Sequence, residues 1–160
     1  MSILFSVLFS VSTLMSAQNT VETILLIRGA ADTACAESGR DYKDGAHVLQ
    51  VVRNHAALFY KGWKRYDGTL KNALYSPAQH AHGCRYPTTL GHYILGIQFV
   101  ADALPVEPWA KSAISYCNIE PEGTCENRCK GGCPYLGKVV HRYYGLTQKH
   151  GKKPLLKGGS

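Results

Sequence analysis

The spacing of apolar residues along the chain predicts three main helices. In residues 21–37 apolar side chains recur at three- and four-residue steps, and Ser38-Gly39 is a natural stop. A second helix is predicted over residues 44–60, with Asp44 as its N-cap, and a third over residues 89–103. The expected inward faces are Val21, Ile24, Leu25, Ala31 and Ala34 in the first helix, Val48, Val51, Val52, Ala56 and Phe59 in the second, and Ile94, Ile97, Val100 and Ala101 in the third.

The segments between and after these helices carry different patterns. Residues 69–75 are long enough for one helical turn, and residues 77–88, rich in His, Gly and Pro, predict a loop. Residues 113–119 and 137–145 have strand character and could pair as a small late hairpin. The whole pattern predicts one α+β domain that is mainly helical.

The two ends of the chain differ from this middle part. Residues 3–15 are apolar apart from serines and a threonine, a run too short to span a bilayer but of the length of a signal-peptide core. We therefore predict a signal peptide over residues 1–17, the alternative being a buried N-terminal helix that stays in the mature protein. Residues 18–146 would form the domain, and residues 147–160 a basic flexible tail.

Composition narrows the class of partner. The 160 residues carry a net charge of +7, which suits a negatively charged partner such as a membrane surface or a bacterial cell wall. Because no block of like charges resembles a nucleic-acid-binding arm, nucleic acid is not expected as a partner. We expect a monomer that is secreted or periplasmic.

Cysteine usage supports export. An even number of cysteines in a small exported chain predicts disulfides, with at least one inside residues 117–133, although the sequence does not choose the pairing. A zinc site in that cluster is the alternative. The candidates are Cys35, Cys84, Cys117, Cys125, Cys129 and Cys133.

Two histidines raise a second possibility of metal binding. His80, His82 and Cys84 alternate, so an extended chain would present them on one side, where they could bind zinc or copper. Seven histidines in the chain make such pairs common by chance, so we predict neither a metal site nor a cofactor.

Glu37 is the candidate catalytic residue. It stands at the predicted end of the first helix, where the helix dipole is negative, beside Ala34, Cys35 and Ala36. This setting favours a protonated carboxyl group, which a general acid needs to cleave a glycosidic bond. The other interpretation is a solvated glutamate at a helix end. The nearby Asp41 is explained as a turn residue, as Asp44 is by its N-cap position.

Four motifs resemble a known family, and they cover about residues 24–145. The stretches "AESGRDYKDGAHVLQVVRNHA", "LYSPAQHAHGC", "AISYCN" and "VVHRYYG" resemble, in this order, segments of the cell-wall hydrolases typified by bacterial spore cortex-lytic enzymes. The matching positions are Glu37, Gly39–Asp41, Val48–Val52, Asn54, Tyr75, Pro77, Gln79 and Cys84, with the tyrosines of the last two motifs. The pair Glu37-Ser38 also resembles lytic transglycosylases and goose-type lysozymes.

The resemblance implies a lysozyme-like fold and cleavage of peptidoglycan glycan strands between N-acetylmuramic acid and N-acetylglucosamine. It implies Glu37 as general acid, either in a lytic transglycosylase, where Glu37 also acts as base and which we favour, or in a muramidase-type hydrolase. It also implies substrate contacts from Ser38, Gln79, Tyr116 and Tyr143. Departures are His80, where the family has an aromatic residue, His55, where it has Arg, and a cysteine loop at 120–133 that resembles an insertion. A catalytically inactive, cysteine-stapled wall-binding module and an exported metal-binding protein are the alternatives.

Overall fold

The computed structural model describes residues 2–58, 66–76, 83–117 and 134–145, and for the first helix it describes side chains from residue 18 onward. In chain order the elements are α1 (Ser2–Ser38), α2 (Tyr42–Leu58), α3 (Leu70–Tyr75), α4 (Leu90–Val100), a 3-10 helix (Pro108–Ser112), β1 (Ser115–Cys117), β2 (Tyr135–Lys138) and β3 (Arg142–Tyr144). The protein is therefore mainly helical with one small sheet, and this coarse fold class is confirmed.

Several predicted features lie outside the described residues. These are Phe59 and Tyr60, Pro77–His82 with Gln79, His80 and His82, the cysteine loop with Cys125, Cys129 and Cys133, the side chain of Cys117, and the tail from residue 146.

Helix α2 is the centre of the fold, because both of its faces are apolar. Leu49, Val52 and Ala56 face a core shared with α1, α3 and α4. Val48 and Val51 face the other way, into a second core with the sheet and the 3-10 helix. The sheet and the α1/α4 pair therefore lie on opposite sides of α2, and most residues of α2 are buried.

Helix α1 is longer than its apolar pattern predicted, and its inward face is partly different. It runs without a break from Ser2 to Ser38, where the predicted stop is confirmed. The expected inward residues Val21, Ile24 and Leu25 are exposed, while Ala31 and Ala34 are buried as predicted. These three residues precede Leu26, which is the first described residue of α1 that packs against the core. In the described part of the chain, no helix is both long and apolar enough to cross a membrane.

Helix α4 packs mainly with a different face from the one predicted, although Val100 does pack against the core as expected. Ile94, Ile97 and Ala101 are exposed, whereas Leu95 and Phe99 are buried in the core. The cause is Gly96, where a Cβ atom would lie only 2.3 Å from the carbonyl oxygen of Ile27. A glycine allows α4 to approach the α1 backbone directly, and this contact decides which side of an apolar helix turns inward.

We predict that Gly96→Ala lowers the free energy of unfolding by about 1–3 kcal/mol, because the added methyl group overpacks the contact with α1. Helix propensity alone would favour alanine by about 1 kcal/mol. A loss of stability would therefore show that the added methyl group meets α1. Urea unfolding measures it, with the exposed Ile94→Ala as control, expected to change stability by less than about 0.5 kcal/mol. A stabilised Gly96→Ala protein would show that the two helices do not touch there.

The short helical turn and the strands follow the prediction in part. Helix α3 is confirmed, and the Thr69 hydroxyl caps it by accepting the Asn72 N–H at 3.1 Å. The sheet is antiparallel with order β1-β3-β2, so residues 115–117 do pair with residues 142–144 as expected. The predicted single strand over 137–145 is wrong, because a turn divides it into part of β2 and β3.

Candidate functional site

The end of α1 forms a sharp corner that carries Glu37. Gly39 adopts a left-handed conformation, with φ of +58°, and its N–H donates to the Cys35 carbonyl oxygen at 2.9 Å. A glycine is suited to this position, and its hydrogen bond closes the last turn of the helix. Glu37 is half-buried in this turn. We call residues 35–39 the Glu37 corner.

A disulfide is the first link that holds the Glu37 corner. Cys35, itself buried, pairs with Cys84, 49 residues further along the chain. The same segment makes a second contact with α1, because the Thr88 hydroxyl donates to Asp32 Oδ1 at 2.9 Å. The prediction of disulfides is confirmed for this pair.

The second link is a fully buried carboxylate, Asp44. Its Oδ2 accepts the Ser38 hydroxyl at 2.8 Å and His141 Nδ1 at 2.5 Å. Its Oδ1 accepts the backbone N–H groups of Val140 and His141, both at 3.0 Å, and the Tyr143 hydroxyl at 2.9 Å. Asp44 therefore joins the corner, the start of α2 and the turn between β2 and β3.

Electrostatics fix the roles of the groups around Asp44. Burial acts to raise the pKa of Asp44, but the hydrogen bonds from His141 and Ser38 outweigh it and hold that pKa well below its ordinary value. An ionised carboxylate only accepts, so His141 Nδ1 carries the hydrogen of their bond. Burial and the negative charge of Asp44 raise the pKa of Tyr143, which keeps its hydroxyl a donor.

The predicted N-cap role of Asp44 is wrong. Helix α2 begins at Tyr42, and Asp41 Oδ1 accepts the Asp44 N–H at 2.8 Å, as an N-cap side chain does. Asp44 lies in the first turn of the helix and points into the core. Both acids near Glu37 are thus engaged in structural hydrogen bonds.

The third link is His92, near the start of α4. Its Nε2 donates to the Gly39 carbonyl oxygen at 2.7 Å, and its Nδ1 accepts the Thr89 N–H at 3.1 Å. One imidazole therefore caps α4 and holds the last residue of the Glu37 corner. His92 is almost completely buried, so this bond is shielded from competing water.

Four of the five predicted site residues, all except Gln79, lie in the described part of the chain, and three of them contact Asp44 or its partner His141. Ser38 lies beside Glu37 and uses its hydroxyl on Asp44. Tyr116 packs edge-on against His141, with ring centres 5.1 Å apart. Tyr143 is completely buried, so it suits a role in holding Asp44 better than direct contact with a saccharide.

Two residues of the resembling motifs also have structural roles. The Asn54 amide donates to the carbonyl oxygens of Ala110, at 3.2 Å, and Ala113, at 2.6 Å, and so fixes the 3-10 helix on α2. His55, a departure from the family pattern, lies 2.7 Å through its Nε2 from the Ile114 carbonyl oxygen.

A second polar cluster lies one turn along α2 from Asp44. Glu107 forms an ion pair with Lys43, whose Nζ lies 2.6 Å from Oε1, and its other oxygen contacts His47 Nε2. The hydrogen bond from Lys43 holds the pKa of Glu107 well below its ordinary value. Trp109 stacks on the His47 ring at 5.0 Å. Glu107 is therefore a paired carboxylate that anchors the 3-10 helix.

Sequence reasoning missed His92, His141 and the true role of Asp44. The available signal was weak: each is a polar residue at a position that its helix or hairpin buries. Within the described ranges, no group of three or more His, Cys, Asp or Glu side chains is arranged to hold a metal ion. Comparison with protein-family models, curated proteins and solved structures finds no significant match for this chain.

We expect the Cys35–Cys84 bond to stabilise the protein by roughly 2–4 kcal/mol, because it closes a long loop in the unfolded chain. Unfolding of the double variant Cys35→Ser, Cys84→Ser measures this loss. Peptide mapping without reduction should recover Cys35 linked to Cys84. Recovery of Cys35 linked to any other cysteine would contradict the assignment.

Proposed function

We propose that the protein degrades peptidoglycan by cutting the glycan strand between N-acetylmuramic acid and N-acetylglucosamine. The observation that carries this proposal is the Glu37 corner: the half-buried Glu37 lies in a turn whose neighbouring residues are held by Cys84, Asp44 and His92. A general acid must be held in place to protonate a leaving oxygen, and such preorganisation is what a rigid corner supplies.

Glu37 alone carries the proton transfers in this proposal. It protonates the glycosidic oxygen as that bond breaks, then accepts the proton of the sugar's own 6-hydroxyl as this oxygen bonds to the anomeric carbon. The product is a 1,6-anhydro sugar, and no water is consumed. The engagement of Asp41 and Asp44 in structural hydrogen bonds supports this single-glutamate route over one with a second carboxylate as nucleophile.

The fold class, the disulfide and the net charge support the same proposal. A mainly helical domain with a small antiparallel sheet is compatible with a lysozyme-like fold, which the resemblance of the sequence motifs implies. The disulfide favours an oxidising compartment such as the cell envelope. The net charge of +7 suits an anionic wall.

Mass spectrometry of the fragments released from purified peptidoglycan tests the proposal. We expect muropeptides that end in 1,6-anhydro-N-acetylmuramic acid. Fragments with reducing ends would instead show a hydrolase that uses water. If the protein binds the wall but releases no fragments, the proposal fails and the wall-binding module is favoured.

A further inference from the structure

Helix α4 presents a continuous apolar stripe to solvent. Leu90, Tyr93, Ile94 and Ile97 are exposed by 76, 38, 46 and 53%. Their spacing of three, four and seven residues from the first member places them on one face of the helix. We call these four residues the α4 stripe.

The stripe is not a by-product of a missing core. The opposite face of α4 is fully used, with Leu95 and Phe99 in the core and Gly96 against α1. A helix that is apolar all round is normally buried all round, yet α4 is covered on one side only. Residues 90–100 contain no charged side chain that would keep the outer face hydrated.

The apolar surface continues onto α1. The contacts of Gly96 with Ile27 and of His92 with Gly39 show that α4 runs antiparallel to α1. Ile97 therefore lies near the level of the α1 turn that carries Ile24, which is 57% exposed. The backbone of α1 continues without a break towards residues 3–15, which the sequence shows to be apolar.

Charge distinguishes between the possible occupants of this surface. The chain carries a net charge of +7, and the exposed Arg28 follows Ile24 by one helical turn on the same side of α1. A second copy would bring like charge against like charge, whereas an anionic lipid surface would attract it. Tyr93 adds an amphipathic ring of the kind found at the level of lipid headgroups.

We propose that the α4 stripe, together with Ile24 on α1, docks on the surface of a membrane that contains anionic lipid. The apolar side chains enter the interface between headgroups and acyl chains, and neither helix crosses the bilayer. Every residue of this surface lies beyond residue 17, so the surface is present with or without processing of the N-terminal segment. The proposal does not depend on the activity of Glu37.

Co-sedimentation of the full chain with vesicles tests the proposal. The vesicles consist of phosphatidylcholine alone or of phosphatidylcholine with phosphatidylglycerol. We expect binding to the mixed vesicles, weaker binding at high salt, and about a tenfold lower partition coefficient for Ile94→Glu combined with Ile97→Glu. The matched control is Tyr135→Glu, an equally exposed site on the sheet, which lies across α2 from the stripe and should leave binding unchanged.

Three results would overturn the proposal. One is the absence of vesicle binding, and another is equal binding by the stripe variant, which would assign the binding to residues 3–15. The third is a dimer in sedimentation velocity that the stripe variant abolishes, because a second copy would then cover the surface. If the double variant does not fold, Ile97→Trp replaces it. Its fluorescence should shift to the blue on mixed vesicles, while that of Tyr135→Trp should not.

Discussion

Glu37→Gln should reduce the release of muropeptides by about a hundred- to ten-thousand-fold, the range that a lost general acid and base produces. Glutamine keeps the shape of the side chain but has no proton to give. Because Glu37 is only half-buried, we expect the free energy of unfolding to change by less than about 0.5 kcal/mol. Fragment release and thermal unfolding are measured on the same preparation.

The matched control for this experiment is Glu22→Gln. It is the same substitution on the same helix, at an exposed side chain that pairs with Lys71 at 3.7 Å. Full activity of the control beside an inactive Glu37→Gln protein would locate the chemistry at the Glu37 corner. Muropeptide release by Glu37→Gln at the rate of the unmodified protein would remove Glu37 from the mechanism.

Asp44→Asn should lower the free energy of unfolding by roughly 3–5 kcal/mol, the cost of breaking a buried charged network. An amide has the size of a carboxylate, but its NH₂ group would replace an oxygen that now accepts hydrogen bonds. At least one of the donors Ser38, His141 and Tyr143 would then face another donor in a site with no access to water.

The pH dependence of stability provides a second measure of the same carboxylate. The folded pKa of Asp44 lies below its ordinary value of 3.8, so the unfolded chain binds the proton more tightly than the folded one. The stability from Asp44 is thus complete above the ordinary value and is lost progressively as pH falls from there towards the folded pKa. Chemical unfolding across this acid range should show a steep decline that Asp44→Asn flattens.

Asp102→Asn is the control for Asp44. Asp102 is exposed and pairs with Arg53 at 2.8 Å, and asparagine tolerates its left-handed backbone, with φ of +57°. An exposed pair contributes about 0–1 kcal/mol, so the control should stay close to the unmodified protein. If the two substitutions had equal effects, Asp44 would not be the buried hub that its hydrogen bonds indicate.

Local pattern was enough to locate the helices and to orient α2, whose predicted inward residues Val48, Val51, Val52 and Ala56 are buried, but it was not enough to orient α4. The stop at Ser38-Gly39 and the turn at 69–75 follow from residues close in sequence, and both were predictable. In α4, apolar residues occupy both faces, so periodicity could not say which face turns inward. That choice depends on Gly96 meeting the Ile27 carbonyl group, a contact between residues far apart in the chain.

The candidate site likewise combines features that are local in sequence with contacts between residues far apart in the chain. The position of Glu37 and Ser38 at the end of α1 could be predicted because a helix end and its small neighbours are local features. The N-cap role predicted for Asp44 came from rules that consider only residues close to a helix end. Its hydrogen-bond partner His141 lies 97 residues further along the chain. The same carboxylate divides the predicted strand over 137–145, since it accepts the N–H groups of the Val140–His141 turn.

The long sequence separation between Asp44 and its hydrogen-bond donors also determines the order in which the contacts of the site can form. Helices α1, α2 and α4 lie within the first 100 residues, but the donors from His141 and Tyr143 belong to the last described strand and the turn before it. Contacts of such long sequence separation form slowly, because a large loop must close first. During synthesis, the Glu37 corner therefore acquires its full set of bonds only after residues 140–143 have been made. Under the proposed function, muropeptide release would begin only after β2 and β3 have docked on α2.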